Sequence, residues 1–76
     1  MISILRTDDP ATLSFAVAVL DEAGVANQVL DRHTAFALGA VGAMRMRLVV
    51  EADNAAQARR LLSEAGLSRE LMRDDE

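Results

Sequence analysis

Residues 31–51 read DRHTAFALGAVGAMRMRLVVE, and this stretch joins a long apolar loop to the clearest strand pattern of the chain. In its second half Met46, Leu48 and Val50 occupy every other position, which is the period of a β-strand with one packed face. We therefore predict a strand over residues 44–51 whose other face is open. That open face would carry the intervening side chains: Arg45, Arg47, Val49 and Glu51.

The N-terminal segment has the composition of a second strand. Its β-branched residues Ile2 and Ile4 alternate with other side chains, so we expect both to face inward. Strict alternation would put Leu5 on the opposite face. A third strand, residues 25–30, is less regular because two amides stand side by side in it, which is typical of a strand at a sheet edge.

A helix is predicted between the N-terminal strand and the strand at residues 25–30. Asp9 is a good N-cap, Pro10 suits the first helical position, and Gly24 after Ala23 marks the end. Its apolar face at helical spacing consists of Leu13, Ala16, Val17, Leu20 and Ala23.

Further apolar residues of this helix, Phe15, Ala18 and Val19, point away from that face. They form either the rim of a wide buried stripe under a loop or a contact with another subunit. Sequence does not choose between the two interpretations.

A second helix follows the strand at residues 44–51. Asp53 or Asn54 would cap it, and Asn54 with Gln57 has the spacing of a capping box. Gly66 would end it, as Gly24 ends the first helix. The predicted buried stripe is Ala55, Ala58, Leu61, Leu62 and Ala65.

The order β-α-β-β-α predicts an α+β fold, a ferredoxin-like half-sandwich without a last strand. We expect a three-stranded mixed sheet with two helices on one face and its first two strands parallel. One domain would cover residues 1–67, followed by an acidic tail at 68–76. An unpaired edge and a partly apolar open face favour a homodimer. Candidate interface residues are Leu5, Phe15, Val19 and Val49.

Composition limits the classes of function. The chain has 76 residues, net charge −4, no cysteine and no tryptophan or tyrosine, and its eight basic residues are all arginine. An acidic chain with few aromatics is a poor match for nucleic acid. Without cysteine there is no disulfide or thiolate metal site. The N-terminal segment lacks the basic and long apolar regions of a signal peptide or membrane anchor, so we expect a cytoplasmic protein. No cofactor or metal is expected, because no motif for either is recognisable.

The connection at residues 31–44 is long for a strand–strand loop and contains Phe36, Leu38, Gly39 and Gly42. Long apolar loops are often functional. Its side chains would either complete the small core or bind a ligand or a partner protein.

Asp31, His33, Arg45 and Arg47 are the polar candidates in and beside this loop. Asp31 could orient the ring of His33 from two residues away, in a structural or a binding role; no motif supplies further metal ligands or a nucleophile. The arginines would bind an anion or a partner carboxylate, or pair with an acidic neighbour such as Glu51.

Several segments taken in order resemble a known family: LRTDDP, then DEAGV, VLDRH, GAVGAMRMRLVV and ARRLLSEAGL. This family of small bacterial proteins is described as putative prokaryotic signal-transducing proteins and has a fold similar to the nitrogen-regulatory PII proteins. The resemblance covers residues 2–67. It implies a ferredoxin-like domain with recurring positions matched here by Asp31, His33, Gly39, Gly42 and Arg47.

In PII proteins a long loop between the second and third strands contacts target proteins, so the resemblance implies a signalling loop at residues 33–43. The nucleotide-binding residues of PII proteins have no match here. The leading expectation is therefore a non-enzymatic signal-transducing module that binds a partner protein. The alternative is a sensor of an anionic metabolite or nucleotide using His33 and the arginines of the third strand.

Overall fold

A computed structural model describes residues 1–30 and 46–72. The elements of these residues are β1 (Ile2–Thr7), α1 (Pro10–Glu22), β2 (Asn27–Leu30), β3 (Met46–Val50) and α2 (Ala55–Glu64). The three strands form one sheet in the order β1-β3-β2, and both neighbouring pairs are antiparallel. The α+β ferredoxin-like prediction is confirmed. The predicted mixed sheet is wrong, because β3 lies between β1 and β2, so the two strands that run parallel to each other are not neighbours.

The core lies between one face of the sheet and both helices. Leu48 and Val50 of the central strand are fully buried, and Met46 packs against the same cluster. This confirms the inward face predicted from the period-two pattern. The helices contribute Leu13, Ala16 and Leu20 from α1, and Ala55, Ala58 and Leu62 from α2. Ala23, which was predicted to be buried, is exposed because it follows the last turn of α1.

A β-bulge in β1 changes the predicted alternation. Ser3 pairs with Val49, but the next paired residue is Leu5, opposite Leu48, so Ile4 is the extra residue. A bulge sets two residues of one strand against one of its partner. Ile4 and Leu5 are therefore both in the core with no exposed surface, and the prediction that Leu5 lies on the outer face is wrong.

The start of α1 agrees with its sequence signature. Asp9 has extended backbone geometry, and its carboxylate accepts hydrogen bonds from the Ala11 N–H at 3.1 Å and the Thr12 hydroxyl at 2.8 Å. The bond from Ala11 satisfies a backbone N–H that the first helical turn leaves without a partner. Pro10 occupies the first position of the helix, as predicted.

Both helices end in the same way. Gly24 (φ 76°) and Gly66 (φ 92°) adopt the left-handed backbone geometry that glycine tolerates best. Two hydrogen bonds close a Schellman motif at each end. After α1, Val25 N–H donates to the Leu20 carbonyl at 2.9 Å and Gly24 N–H to the Asp21 carbonyl at 3.0 Å. After α2, Leu67 N–H donates to the Leu62 carbonyl and Gly66 N–H to the Ser63 carbonyl, both at 3.0 Å. The residue after each glycine is thereby turned into the core.

The predicted capping box of α2 is wrong. The side chain of Asn54 makes no cap hydrogen bond. A 3₁₀ turn at Ala52–Asn54 precedes the helix, and the Asn54 backbone N–H donates to the Glu51 carbonyl at 2.9 Å. The stripe on α2 is as predicted, with Leu61 and Ala65 half-buried beside the three buried residues.

The segment after α2 returns to the sheet. Following a 3₁₀ turn at Ser68–Glu70, Leu71 forms an isolated antiparallel bridge with Leu5 of β1. Met72 N–H donates to the Ile4 carbonyl at 2.9 Å, and the Met72 carbonyl accepts a hydrogen bond from Arg59 Nε at 3.4 Å. This short contact lies along the edge of β1 that β3 does not occupy.

Candidate functional site

The candidate residues that the structure describes lie at one end of the sheet. Leu30 at the end of β2 pairs with Arg47 at the start of β3, so the connection formed by residues 31–45 leaves and re-enters the sheet at this end. Thr7, at the end of β1, pairs with Met46 at the same level. We call this region, containing the end of β1, the end of β2 and the start of β3, the loop end.

Arg6 and Arg47 lie side by side on the outer face of the loop end. They are direct cross-strand partners, and paired residues of neighbouring strands share a face. Since Met46 and Leu48 face the helices, Arg47 and its partner face away from them. Arg6 is exposed, Arg47 is half-buried, and Leu30, on the other side of Arg47, is 46% exposed.

Neither guanidinium has an acidic partner in the described parts of the chain, where no ion pair involves Arg6 or Arg47. Glu51, the expected neighbour of Arg47, is exposed. No ion pair joins the two residues, so the interpretation that Arg47 pairs with Glu51 is wrong. Pairing of Arg45 or Arg47 with an acidic side chain of residues 31–45 lies outside the described residues and stays a prediction.

A polar cleft adjoins the same end of the sheet. It has a volume of about 370 Å³ and is lined by residues 6–8 after the bulge of β1 and by residues 69–72. Its charged side chains are two arginines and two carboxylates: Arg6, Arg69, Asp8 and Glu70. The Leu5–Leu71 bridge lies beside the cleft, since Arg6 and Leu71 both line it.

The other predicted binding residues lie outside the described residues. They are Asp31, His33, Phe36, Leu38, Gly39, Gly42 and Arg45, all in the connection between β2 and β3. Their roles stay predictions, as does the comparison of this connection with the loop of PII proteins. Of the predicted binding residues, the structure describes Arg47.

The residues proposed for a dimer contact are spread over different environments. Leu5 and Val49 are 0% and 4% exposed, so neither side chain presents a surface to a second copy. Val19 is half-buried and packs against the core. Phe15 is 49% exposed, four residues before Val19 on α1, and stays available for a contact.

Arg6 and Arg69 are the site residues that sequence reasoning missed. Strict alternation put Arg6 on the same face as Ile2 and Ile4, and the bulge moves it to the outer face beside Arg47. Arg69 was assigned to a tail. No local pattern signals either position, because a bulge and a single bridge to a distant strand depend on tertiary packing.

Within residues 1–30 and 46–72, the acidic side chains do not gather in groups of three that could hold a metal ion. None of the helices in these residues has the length and apolar character required to cross a membrane.

Comparison with known proteins shows which family the chain matches. The family model described as "Putative prokaryotic signal transducing protein" matches residues 1–66, which include every strand and both helices. The chain belongs to this family. A search of curated proteins found no match to the chain. The family match covers the sheet, the loop end and residues 31–45, so the described arginines and the connection between β2 and β3 belong to the matched region.

Proposed function

We propose that this member of the signal-transducing family is a non-enzymatic cytoplasmic module that binds a partner protein through residues 33–43 and the outer face of the loop end. The observation that carries the proposal is the position of Arg6 and Arg47. Among the described residues neither arginine has a carboxylate partner, and both lie at the end of the sheet from which residues 31–45 depart. A binding loop beside these two guanidiniums would supply an apolar anchor, and the two charges would select an acidic partner.

The chemistry of the proposed partner follows from these residues. Phe36 and Leu38 would insert into an apolar pocket, because buried aromatic anchors dominate the binding energy of most interfaces. Arg6 and Arg47 would pair with carboxylates at the rim of that pocket. Such rim charges accelerate association and exclude wrongly charged partners. The partner surface is thus an apolar pocket bordered by acidic residues.

The double substitution F36S/L38S tests this role. Capture from an extract of bacterial cells with the wild-type chain, followed by mass spectrometry, identifies a partner, which is then purified and titrated by calorimetry. We expect the double variant to bind it at least about tenfold more weakly, because the apolar anchor is lost. Its melting temperature should stay near the wild-type value.

Phe15→Ser is the matched control, since it removes an exposed aromatic ring from α1 without touching the loop end. It should bind the partner with wild-type affinity. Unchanged binding by F36S/L38S would disprove the role of the loop, and equal weakening by F15S would show that general loss of apolar surface is responsible.

We further propose that the protein acts as a homodimer joined at the edge of β2. This edge has no neighbouring strand among the described residues. Asn27–Leu30 carries no charged side chain, and Val29 and Leu30 are 39% and 46% exposed. An uncharged edge strand pairs readily with a copy of itself, because no like charges meet across the two-fold axis.

A second candidate function is the sensing of an anionic small molecule. The specific observation in its favour is the like-charged pair Arg6–Arg47 next to a concave polar cleft. In this role a bound anion, rather than a partner carboxylate, would neutralise the two arginines.

A further inference from the structure

Arg6 belongs to two features of the loop end at once. It stands opposite Arg47 across the β1–β3 ladder, and it lines the 370 Å³ cleft together with Arg69. The arginine pair and the cleft are therefore adjoining parts of one surface, with Arg6 at their boundary. A ligand large enough to touch both would contact the ends of β1 and β3 and the segment after α2.

The arginine pair favours a multiply charged oxyanion. Like charges directly opposite each other on neighbouring strands repel, and the half-buried position of Arg47 reduces screening by salt. An anion held between the two guanidiniums removes this repulsion. A phosphate group has enough acceptor oxygens to bind both arginines at once, whereas a single carboxylate is matched by one.

The volume of the cleft and its lining residues indicate the chemistry of the rest of the ligand. Its volume falls in the lower part of the range for small-molecule sites, about 300–1,000 Å³. Asp8 and Glu70 would repel a second phosphate in this space. As carboxylates they accept hydrogen bonds, so they match a group rich in hydroxyl donors. Arg69 supplies donors for the oxygen atoms of the same group.

We infer that the loop end binds the phosphate monoester of a small polyhydroxylated molecule, with the phosphate between Arg6 and Arg47 and the hydroxyl-bearing part in the cleft. This inference rests on the second candidate function and specifies its ligand class. It assigns the binding to residues on β1, β3 and the segment after α2.

Titration of labelled full-length protein, followed by amide NMR, tests the site. The probes are ribose 5-phosphate, inorganic phosphate and ribose, each at constant ionic strength balanced with sodium chloride. Saturable shifts are expected at residues 5–7, 46–48 and 69–71. Ribose 5-phosphate should bind several-fold more tightly than inorganic phosphate, and ribose alone should bind weakest, because only the ester reaches both parts of the site.

Single substitutions test the arginine pair and the cleft independently. Arg6→Gln and Arg47→Gln should each raise the Kd for both phosphate probes about tenfold, since each removes a charge-assisted contact. Glu70→Gln should reduce the preference for ribose 5-phosphate over inorganic phosphate, because it removes an acceptor for the hydroxyl groups while its loss of charge favours both phosphates alike. Arg60→Gln is the matched control, because Arg60 is exposed on α2 and should have no effect on either probe.

Three results would overturn the inference: no saturable shifts with ribose 5-phosphate, equal Kd values for ribose 5-phosphate and inorganic phosphate, or the same loss in R60Q as in R6Q. The F36S/L38S variant distinguishes this failure from failure of the partner-binding role. It lacks the apolar loop anchor but keeps all three arginines, so it should bind ribose 5-phosphate as the wild type does.

Discussion

Leu5 is the residue at which the bulge has its largest energetic effect. Its side chain is fully buried opposite Leu48, although strict alternation from Ile2 and Ile4 would place it on the outer face. We predict that Leu5→Ala lowers the free energy of unfolding by about 2–5 kcal/mol, through lost burial and the remaining cavity. Urea denaturation followed by circular dichroism measures this change.

Leu30→Ala is the control for Leu5→Ala, because it makes the same chemical change at a side chain that is 46% exposed on the outer face. Its cost should be below about 1 kcal/mol. If Leu5→Ala does not fold, Leu5→Val takes its place. It should lower the free energy of unfolding by less than Leu5→Ala would, but still by more than Leu30→Ala does. Equal costs for Leu5 and Leu30 would mean that Leu5 faces outward, as strict alternation requires, and that the bulge is absent.

The same residues explain how far sequence reasoning could go. Asp9, Gly24 and Gly66 act through hydrogen bonds within a few residues, and Pro10 acts through its fixed backbone angle, so these helix ends could be predicted from local chemistry. The positions of Leu5 and Arg6 depend on how β1 registers against β3, more than forty residues later in the chain. Two-residue periodicity contains no information about an inserted residue, which is why the outer-face arginine pair was missed.

At the scale of elements, the segment after α2 occupies part of the edge of β1 that β3 leaves open. Leu71 bridges Leu5 and packs against the core, while Met72 bonds both Ile4 and Arg59. These contacts cover part of an edge of β1 that would otherwise be open to pairing with other chains. They also form one wall of the cleft at the loop end.

Truncation measures the contribution of this segment. A chain ending at residue 67 should be less stable than one ending at residue 72 by about 1–2 kcal/mol, since the half-buried Leu71 is lost. Removal of residues 73–76 alone serves as the control and should change stability little. Equal urea midpoints for the 1–67 and 1–72 chains would instead place the end of the folded domain at residue 67.

At the scale of the whole molecule, the two sheet edges differ in how they are protected. The edge of β1 is contacted by Leu71 and Met72, whereas β2 has no such cover within the described residues. An antiparallel pairing of Asn27–Leu30 with itself sets Gln28 of one copy opposite Val29 of the other. The proposed dimer would then have a continuous six-stranded sheet, with both loop ends in one assembly.

This arrangement predicts that Val29→Lys converts a dimer into a monomer. The two introduced lysines would lie close to the two-fold axis, where like charges oppose strand pairing. Sedimentation velocity at tens of micromolar protein measures the mass of each variant. Phe15→Lys is the matched control, because it places the same charge on an exposed apolar position of α1 and should leave the dimer intact. A monomeric wild type would remove the dimer from the proposed function, and dissociation by F15K with an intact V29K dimer would move the contact to α1.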